Sequence, residues 1–184
     1  YNTNILTYIS TDQNISSSDL EIDISALPDS AGLDEDSSIE ISPLTNDSYL
    51  RGQAVQLSIA ASPANGSASL ANDVITYTPD ADWNGSESFT YSIVQGSKSA
   101  TGTIEVTVAP INDAPVINAV SEFSVNETIQ SVATISATDV DQDDLTYSLS
   151  GTDAELFAIS STGVLTFVSS PDFENPADSD ANNI

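Results

Sequence analysis

The residues with the clearest chemical potential are carboxylates, and they come in short runs. "TDVDQDD" (138–144) holds Asp139, Asp141, Asp143 and Asp144, and "PDFENPADSD" (171–180) holds Asp172, Glu174, Asp178 and Asp180. "INDAP" (111–115) adds Asn112 and Asp113 between two apolar stretches. Oxygen donors in this density suit a hard divalent cation, since calcium takes six to eight such ligands with flexible geometry. The chain has no His, Cys or Met. Thiolate zinc sites, disulfides, His-based catalysis and Cys nucleophiles are all excluded. The run "DSDANN" (178–183) alternates oxygen donors as a calcium loop does. It lacks the glycine and distal Glu of an EF-hand, so a solvated turn and a calcium loop both remain open there.

Charge sharpens the point. Acidic residues number 28 against two basic ones, Arg51 and Lys98, for a formal net charge of -26. A phosphate backbone needs a basic face, so nucleic acid is not a partner. Self-repulsion of this size opposes compaction, and with two basic side chains the neutralising cations must come from metal ions or salt. Disorder does not follow, because 39% of the residues are hydrophobic and they alternate. Paired carboxylates also serve glycoside hydrolysis. These fall on acidic linkers without another catalytic group beside them, and no enzyme activity is expected.

The elements that must position these acids read as strands. Alternating runs occur at 5–9, 20–24, 38–41, 54–59, 74–78, 88–94 and 102–108, then at 132–137, 145–149, 156–159 and 164–168. Gly, Pro, Asn, Asp and Ser clusters bound each one, the spacing of a β-sandwich. "TDAELFAI" (152–159) allows one helical turn, and no longer helical period survives. The expected class is all-β: tandem Ig-like sandwich modules in an elongated array. No apolar run is long enough to span a membrane as a helix, so membrane insertion by this segment is not expected.

"VTVAPINDAPVI" (106–117) marks a module boundary, with prolines stiffening a short connection. Residues 31–113 make one complete module. Residues 114–184 supply only the opening strands of another, and residues 1–30 supply two strands with nothing of their own to pair with. Joined end to end, 114–184 and 1–30 make one module of ordinary Ig-like length. The expectation is that residues 1–30 are the last two strands of a module and complete a neighbouring copy, and that the chain is a fragment or processed piece.

On these residues the chain resembles cadherin-like and related Ig-like tandem repeats of giant bacterial surface adhesins of the biofilm, RTX type. "INDAP" is similar to the cadherin linker, "TDVDQDD" to the D-x-D motif, "DFE" (172–174) to the D-x-E motif, "NET" (126–128) to the first-strand Glu motif and "STDQN" (10–14) to the late D-x-G loop, with Gln13 and Asn14 where the family prefers Gly. Module 31–113 resembles the related repeats through "EDSSI" (35–39) and "YTPDADWNGSESFTYSI" (77–93). It departs from them at "NDSYLRGQA" (46–54), where an Asp-rich turn is expected.

The resemblance implies bound Ca2+ and a ligand set. Asn112 and Asp113 from the linker, Asp139 and Asp141 from the following module, Asp12 from the completing strands, and Glu35 with one or both of Asp80 and Asp82 from the preceding module would serve one junction. Glu127, Asp172 and Glu174 would form half of a second site, with Asp29 taking the linker position before module 31–113. Because Tyr49 and Arg51 stand where acids are expected, that linker should demand less calcium. The implied role is a calcium-rigidified extender in cell adhesion or biofilm, extracellular or at the cell surface, with neighbouring copies or modules as head-to-tail partners. The alternatives are a filament subunit assembled by donor strands and a carbohydrate-binding module for surface glycans that uses Trp83, Tyr77 and Tyr91. Alternation at Tyr77 and Tyr91 favours core packing over the last.

Overall fold

The computed structural model describes residues 23–118, 122–172 and 174–176. The chain divides after Ile111 into two compact units, two residues before the expected boundary. Each stands by itself below.

The first unit is a two-layer sandwich. One sheet has the order β1-β7-β6-β3, from β1 (Asp29–Asp34), β7 (Lys98–Ala109), β6 (Gly85–Gln95) and β3 (Gln56–Ala61). The other has the order β2-β5-β4, from β2 (Ile39–Ile41), β5 (Val74–Pro79) and β4 (Gly66–Ala71). Period-two alternation does the sorting, since successive side chains of a strand face opposite ways. Phe89, Tyr91 and Ile93 of β6, Ile104, Val106 and Val108 of β7, and Ile75 and Tyr77 of β5 all point into the core. Tyr77 stacks on Phe89 with ring centroids 5.8 Å apart. Asn72 and Asp73, both at positive φ, make the two-residue hairpin between β4 and β5, where such backbone favours Asn and Asp. Gly102 is required by packing: a Cβ there would lie 2.4 Å from the Tyr91 ring.

β1 runs parallel to β7, with Asp29 opposite Ile104 and Asp34 opposite Ala109. The chain therefore comes into this unit at one pole and leaves it at the other. The expected start at residue 31 falls inside β1. Ile24 and Ala26 pack against the first unit's core, and Ser25 and Ser48 exchange two backbone hydrogen bonds of 2.9 and 3.0 Å. Residues 24–30 thus belong to this module, and only residues before them remain candidates to complete another. The predicted strand 5–9, most of 20–24, and Asp12 lie outside the described residues.

The second unit has a three-stranded antiparallel sheet, β11-β12-β9, from β11 (Phe157–Ile159), β12 (Val164–Phe167) and β9 (Ser131–Thr134). A small pair joins β8 (Val116–Ile117) to β10 (Ala137–Thr138). The predicted run 132–137 is thus split: it pairs with β12 at its start and with β8 at its end, so it crosses between sheets. A 3-10 turn at Ala154–Leu156 fills the one predicted helical turn. The predicted strand 145–149 is corrected: its Leu145 and Tyr147 are half-buried and alternate with exposed neighbours, but it pairs with no strand among the described residues. Among the described residues all ten buried core hydrophobics belong to the first unit.

Candidate metal centres

At the trailing pole of the first unit, where β1 and β7 end together, Glu35 follows β1 and donates its own N–H to Ala109 at 2.9 Å. Its side chain is buried, with 5% of its surface exposed. One carboxylate oxygen accepts the Ile111 N–H at 2.5 Å, and the other accepts Asn84 Nδ2 at 3.3 Å. Glu35 therefore grips the outgoing chain just before Asn112. The next residue, Asp36, sits at φ 56° and accepts the Asp82 N–H at 3.1 Å, bringing the 80–84 turn alongside. Asp82 is itself at φ 57°. Asp80 is different: its backbone forms the turn, donating to Asn65 and accepting from Trp83, and its carboxylate joins no metal-capable group of three among the described residues. Of the expected pair, Asp82 is the one tied to this acidic pole.

At the leading pole the structure supplies a residue that sequence reasoning missed. Asp47 is buried, with 5% exposed, inside the stretch read as lacking an acidic turn. It accepts the Leu27 N–H at 2.7 Å and the Tyr91 hydroxyl at 2.9 and 3.0 Å. Its neighbour Asn46 donates to the Pro28 carbonyl at 3.1 Å. The Asn46-Asp47 dipeptide thus clamps the incoming linker. The expectation of an acid-poor turn, with Tyr49 and Arg51 in place of acids, is corrected to this extent. Arg51 instead lies over the Tyr49 ring, 5.3 Å from its centroid. A signal was present in "ND", but a search for runs of acids passes over a lone one.

Asp29, at the start of β1, has one carboxylate oxygen that is buried and accepts no hydrogen bond. Burial pushes its carboxyl above the usual aspartate range, against the pull of the Tyr91 hydroxyl, and the charge of Asp47 adds to the rise. Tyr91 has one proton to share among Asp47 and the Leu27 carbonyl, at 2.9 Å. The charge-assisted bond to Asp47 is the stronger, so Asp29 receives little from it. Burial and then the Asp47 hydrogen bond push the Tyr91 hydroxyl far up. A buried carboxylate oxygen without a donor is costly unless a cation or proton meets it, and the all-oxygen set fits calcium.

In the second unit, the Asp113 N–H donates to Asp141 at 2.7 Å. Asp139 accepts the N–H groups of Asp141 and Asp143 at 3.0 and 3.3 Å, and Gln142, at φ 63°, turns the backbone between them. Asn112 points its amide to the Asp113 carbonyl at 2.8 Å. Asn112, Asp113, Asp139 and Asp141 are therefore held in one loop-and-linker network. Carboxylates fixed by backbone N–H groups keep further lone pairs for a cation. Glu127, Asp172 and Glu174 form a separate grouping, with one oxygen of each within 4.8 Å of the others and all three exposed. Asp172 orders it by accepting the N–H groups of Glu174 and Asn175 at 3.1 and 3.2 Å, and Thr128 donates to Pro171 at 3.0 Å.

The aromatic alternative loses its platform. Tyr77 and Tyr91 are fully buried, and Trp83 packs half-buried against the first unit's core. The Tyr77 hydroxyl donates to Glu87 at 2.6 Å. The other Glu87 oxygen accepts the Ala64 and Asn65 N–H groups at 2.8 and 3.0 Å, which anchors the loop before β4.

Among solved structures, the chain is similar to the EC1-2 segment of human protocadherin-24, with a TM-score of 0.52, 17% identity, and coverage of 82% of this chain and 81% of that one. It also matches Drosophila N-cadherin EC1-4 at a TM-score of 0.46 and 12% identity, covering 78% of this chain and 40% of that one. An endo-fucoidan hydrolase of glycoside hydrolase family 107 matches at 0.39 and 15% identity over 77% of this chain and 24% of that one. The likeness to the protocadherin segment, at 17% identity, shows a shared all-β, cadherin-like sandwich fold and no more. No curated protein matches. Among the described residues no helix is long and apolar enough to cross a membrane. The family model described as "Bacterial Ig domain" matches residues 7–107, more than half of the chain. With its two-layer sandwich and parallel β1–β7 pairing, the chain belongs to the bacterial Ig-domain family.

Proposed function

We propose that this chain is an extracellular, adhesion-type spacer whose module ends bind calcium and stiffen on doing so. Bacterial Ig domains are typically extracellular or surface modules and typically non-enzymatic. The observation that carries the calcium reading is the buried Asp29 oxygen without a hydrogen bond, at a pole that also holds the buried Asp47. Asp29 and Asp47 would hold an ion at the leading end. Glu35, Asp36 and Asp82 would hold an ion at the trailing end of the first unit, and Asn112, Asp113, Asp139 and Asp141 would hold one in the second unit. Glu127, Asp172 and Glu174 would take another. Calcium would neutralise carboxylate repulsion in a chain that carries -26 and two basic residues, and an ion bound only by the native state stabilises it by mass action.

The use of such stiffening is mechanical: an extended array, in adhesion or biofilm, that holds a terminal binding domain away from the cell. The test is small-angle scattering and calorimetry of the 184-residue chain in calcium and in chelator, with Asp113→Ala and Asp47→Asn beside it. Calcium should lengthen the particle and raise its unfolding temperature. Asp113→Ala should reduce the lengthening and leave strand content intact. Identical profiles in calcium and chelator would remove the proposal.

A further inference from the structure

We infer that β4 is a docking edge for a second copy of this chain, the two β4 strands pairing antiparallel about a two-fold axis at Ala68. Among the described residues the first unit has four edge strands, β1 and β3 in one sheet and β2 and β4 in the other. β1 lies against β2, and β3 against β4, so these edges form two lateral sides. Their charge differs. The β1–β2 side carries Asp29, Asp34 and Glu40. The strands of the β3–β4 side carry no charged side chain, because residues 52–72 are the longest uncharged run in the chain. Two copies that each carry -26 repel one another on most approaches. The β3–β4 side lets them meet without setting carboxylate against carboxylate, and it lacks the charges that ordinarily guard a strand edge.

Of the two strands on that side, β3 is the poorer template. Its ladder to β6 shifts between Ile59 and Ala61, and such an irregularity bends an edge out of line. β4 pairs with β5 without a break, from Gly66 opposite Pro79 to Ala71 opposite Val74. Its outward groups follow from that ladder. The Asp80 N–H donates to the Asn65 carbonyl at 3.0 Å, which makes 65 and 80 a hydrogen-bonded pair. Such pairs alternate along an antiparallel ladder, so Ser67, Ser69 and Ala71 also turn their backbone polar groups towards β5. Gly66, Ala68 and Leu70 turn theirs outward, where no other strand meets them among the described residues.

The edge is complementary to itself. A two-fold axis at Ala68 sets Ala68 against Ala68 and Gly66 against Leu70, the arrangement of an isologous contact. Leu70 is 36% exposed. Gly66 has no room for a side chain, since a Cβ there would lie 2.5 Å from the Thr78 carbonyl oxygen. Each copy's Leu70 therefore covers the bare backbone at the other's Gly66. On the outer face, exposed Ser67 stands opposite exposed Ser69, a pair able to hydrogen-bond across the seam. A six-residue edge buries less than the roughly 1,200 Å² of a stable interface. One such contact is weak, and it gains strength where several are linked. The inference does not rest on calcium binding.

The chain has no cysteine, so single introduced thiols report the register of even a weak contact. The test mixes full-length Ser67→Cys and Ser69→Cys proteins in chelator and a glutathione redox buffer, at low and at high salt. Directly opposite residues of a non-hydrogen-bonded pair stand about 4.5 Å apart at Cα, within disulfide range. Two residues 67, or two residues 69, do not face each other in this register. The mixed 67–69 disulfide should form in several-fold excess over either like pair, and salt should raise its yield by screening the net charge. In the mixed dimer the amides of Gly66, Ala68 and Leu70 should exchange about tenfold or more slowly than in the monomer, with Ser67, Ser69 and Ala71 unchanged. Mixed and like disulfides in statistical proportion, or a mixed yield that falls with salt, would overturn the pairing. Full protection of Gly66, Ala68 and Leu70 in the dilute monomer would overturn it too, since the same chain would then already hold that edge.

Discussion

Removing the hydroxyl of Tyr91 tests the leading-pole clamp most directly. Tyr91→Phe keeps the ring that fills the space beside Gly102 and deletes one O–H. That O–H lies 2.9 and 3.0 Å from the two oxygens of buried Asp47. Afterwards Asp47 keeps the Leu27 N–H at 2.7 Å on one oxygen. A hydrogen bond to a charged group contributes about 1.5–3 kcal/mol net, and stranding a buried acceptor places the loss within that range. Taking about 2 kcal/mol, a domain of this size should lose roughly 8–16 °C of melting temperature. Tyr77→Phe is the internal control, since Tyr77 is equally buried and its hydroxyl also meets a carboxylate, Glu87, at 2.6 Å. Glu87 is only half-buried and keeps two backbone N–H donors, so the loss there should be nearer 1 kcal/mol. Trp83, the only tryptophan, packs on the first unit's core, so its fluorescence during thermal or urea unfolding reports this unit alone. Tyr91→Phe should also shrink the calcium-induced rise in melting temperature, and Tyr77→Phe should not. Equal small losses in the two variants, or an unchanged calcium increment in Tyr91→Phe, would refute the clamp.

Gly102→Ala should destabilise the first unit by about 1–3 kcal/mol or more through overpacking, because the new methyl would meet the Tyr91 ring at 2.4 Å; a melt within two degrees of the parent would contradict it. For Glu87, burial raises the carboxyl's pKa, but hydrogen bonds from Tyr77, Asn65 and Ala64 outweigh this and hold it below 4.5. Its stabilisation is therefore present above the ordinary glutamate value and lost as pH falls through the lowered one. Glu87→Gln should flatten the acid limb of stability against pH, which a series of urea melts would show. Asp29 has the opposite sign, since burial raises its carboxyl: its contribution is present below the ordinary aspartate value and lost as pH rises through the raised one. Asp29→Asn should therefore stabilise the first unit in chelator at neutral pH and reduce the gain from calcium, both measured by calorimetry.

Much of the first unit was legible in the sequence because its strands are amphipathic. Where one face is buried and the other wet, alternation both declares a strand and sets its register, as in β5, β6 and β7. β1 and β4 were not legible. "DSAGLD" carries only Ala31 and Leu33 on its inward side, and "GSASLA" is almost wholly small residues. Each becomes a strand because a neighbour offers ladder hydrogen bonds: β7 to β1, β5 to β4. Conversely, 145–149 alternates but finds no ladder partner among the described residues, and it stops short of a strand there.

The acidic character, the all-β class, the linker at 110–113 and the oxygen-donor chemistry were determined by composition and local pattern, because charge and period-two hydrophobicity are properties of the chain itself. Which carboxylates act together was decided only by the tertiary structure. Asp139 and Asp141 sit two residues apart, so their shared loop could be seen in advance. Asp47 and Tyr91 lie 44 residues apart and meet because β6 and the 43–48 turn converge on the incoming linker. Glu35 and Ile111 are 76 residues apart, joined because β1 lies parallel to β7 and ends beside it. Burial follows the same division: a sequence can show that a residue is acidic, but only the packed fold removes the water from Asp47, Glu35 and one oxygen of Asp29, and for Asp29 that desolvation raises the carboxyl's pKa.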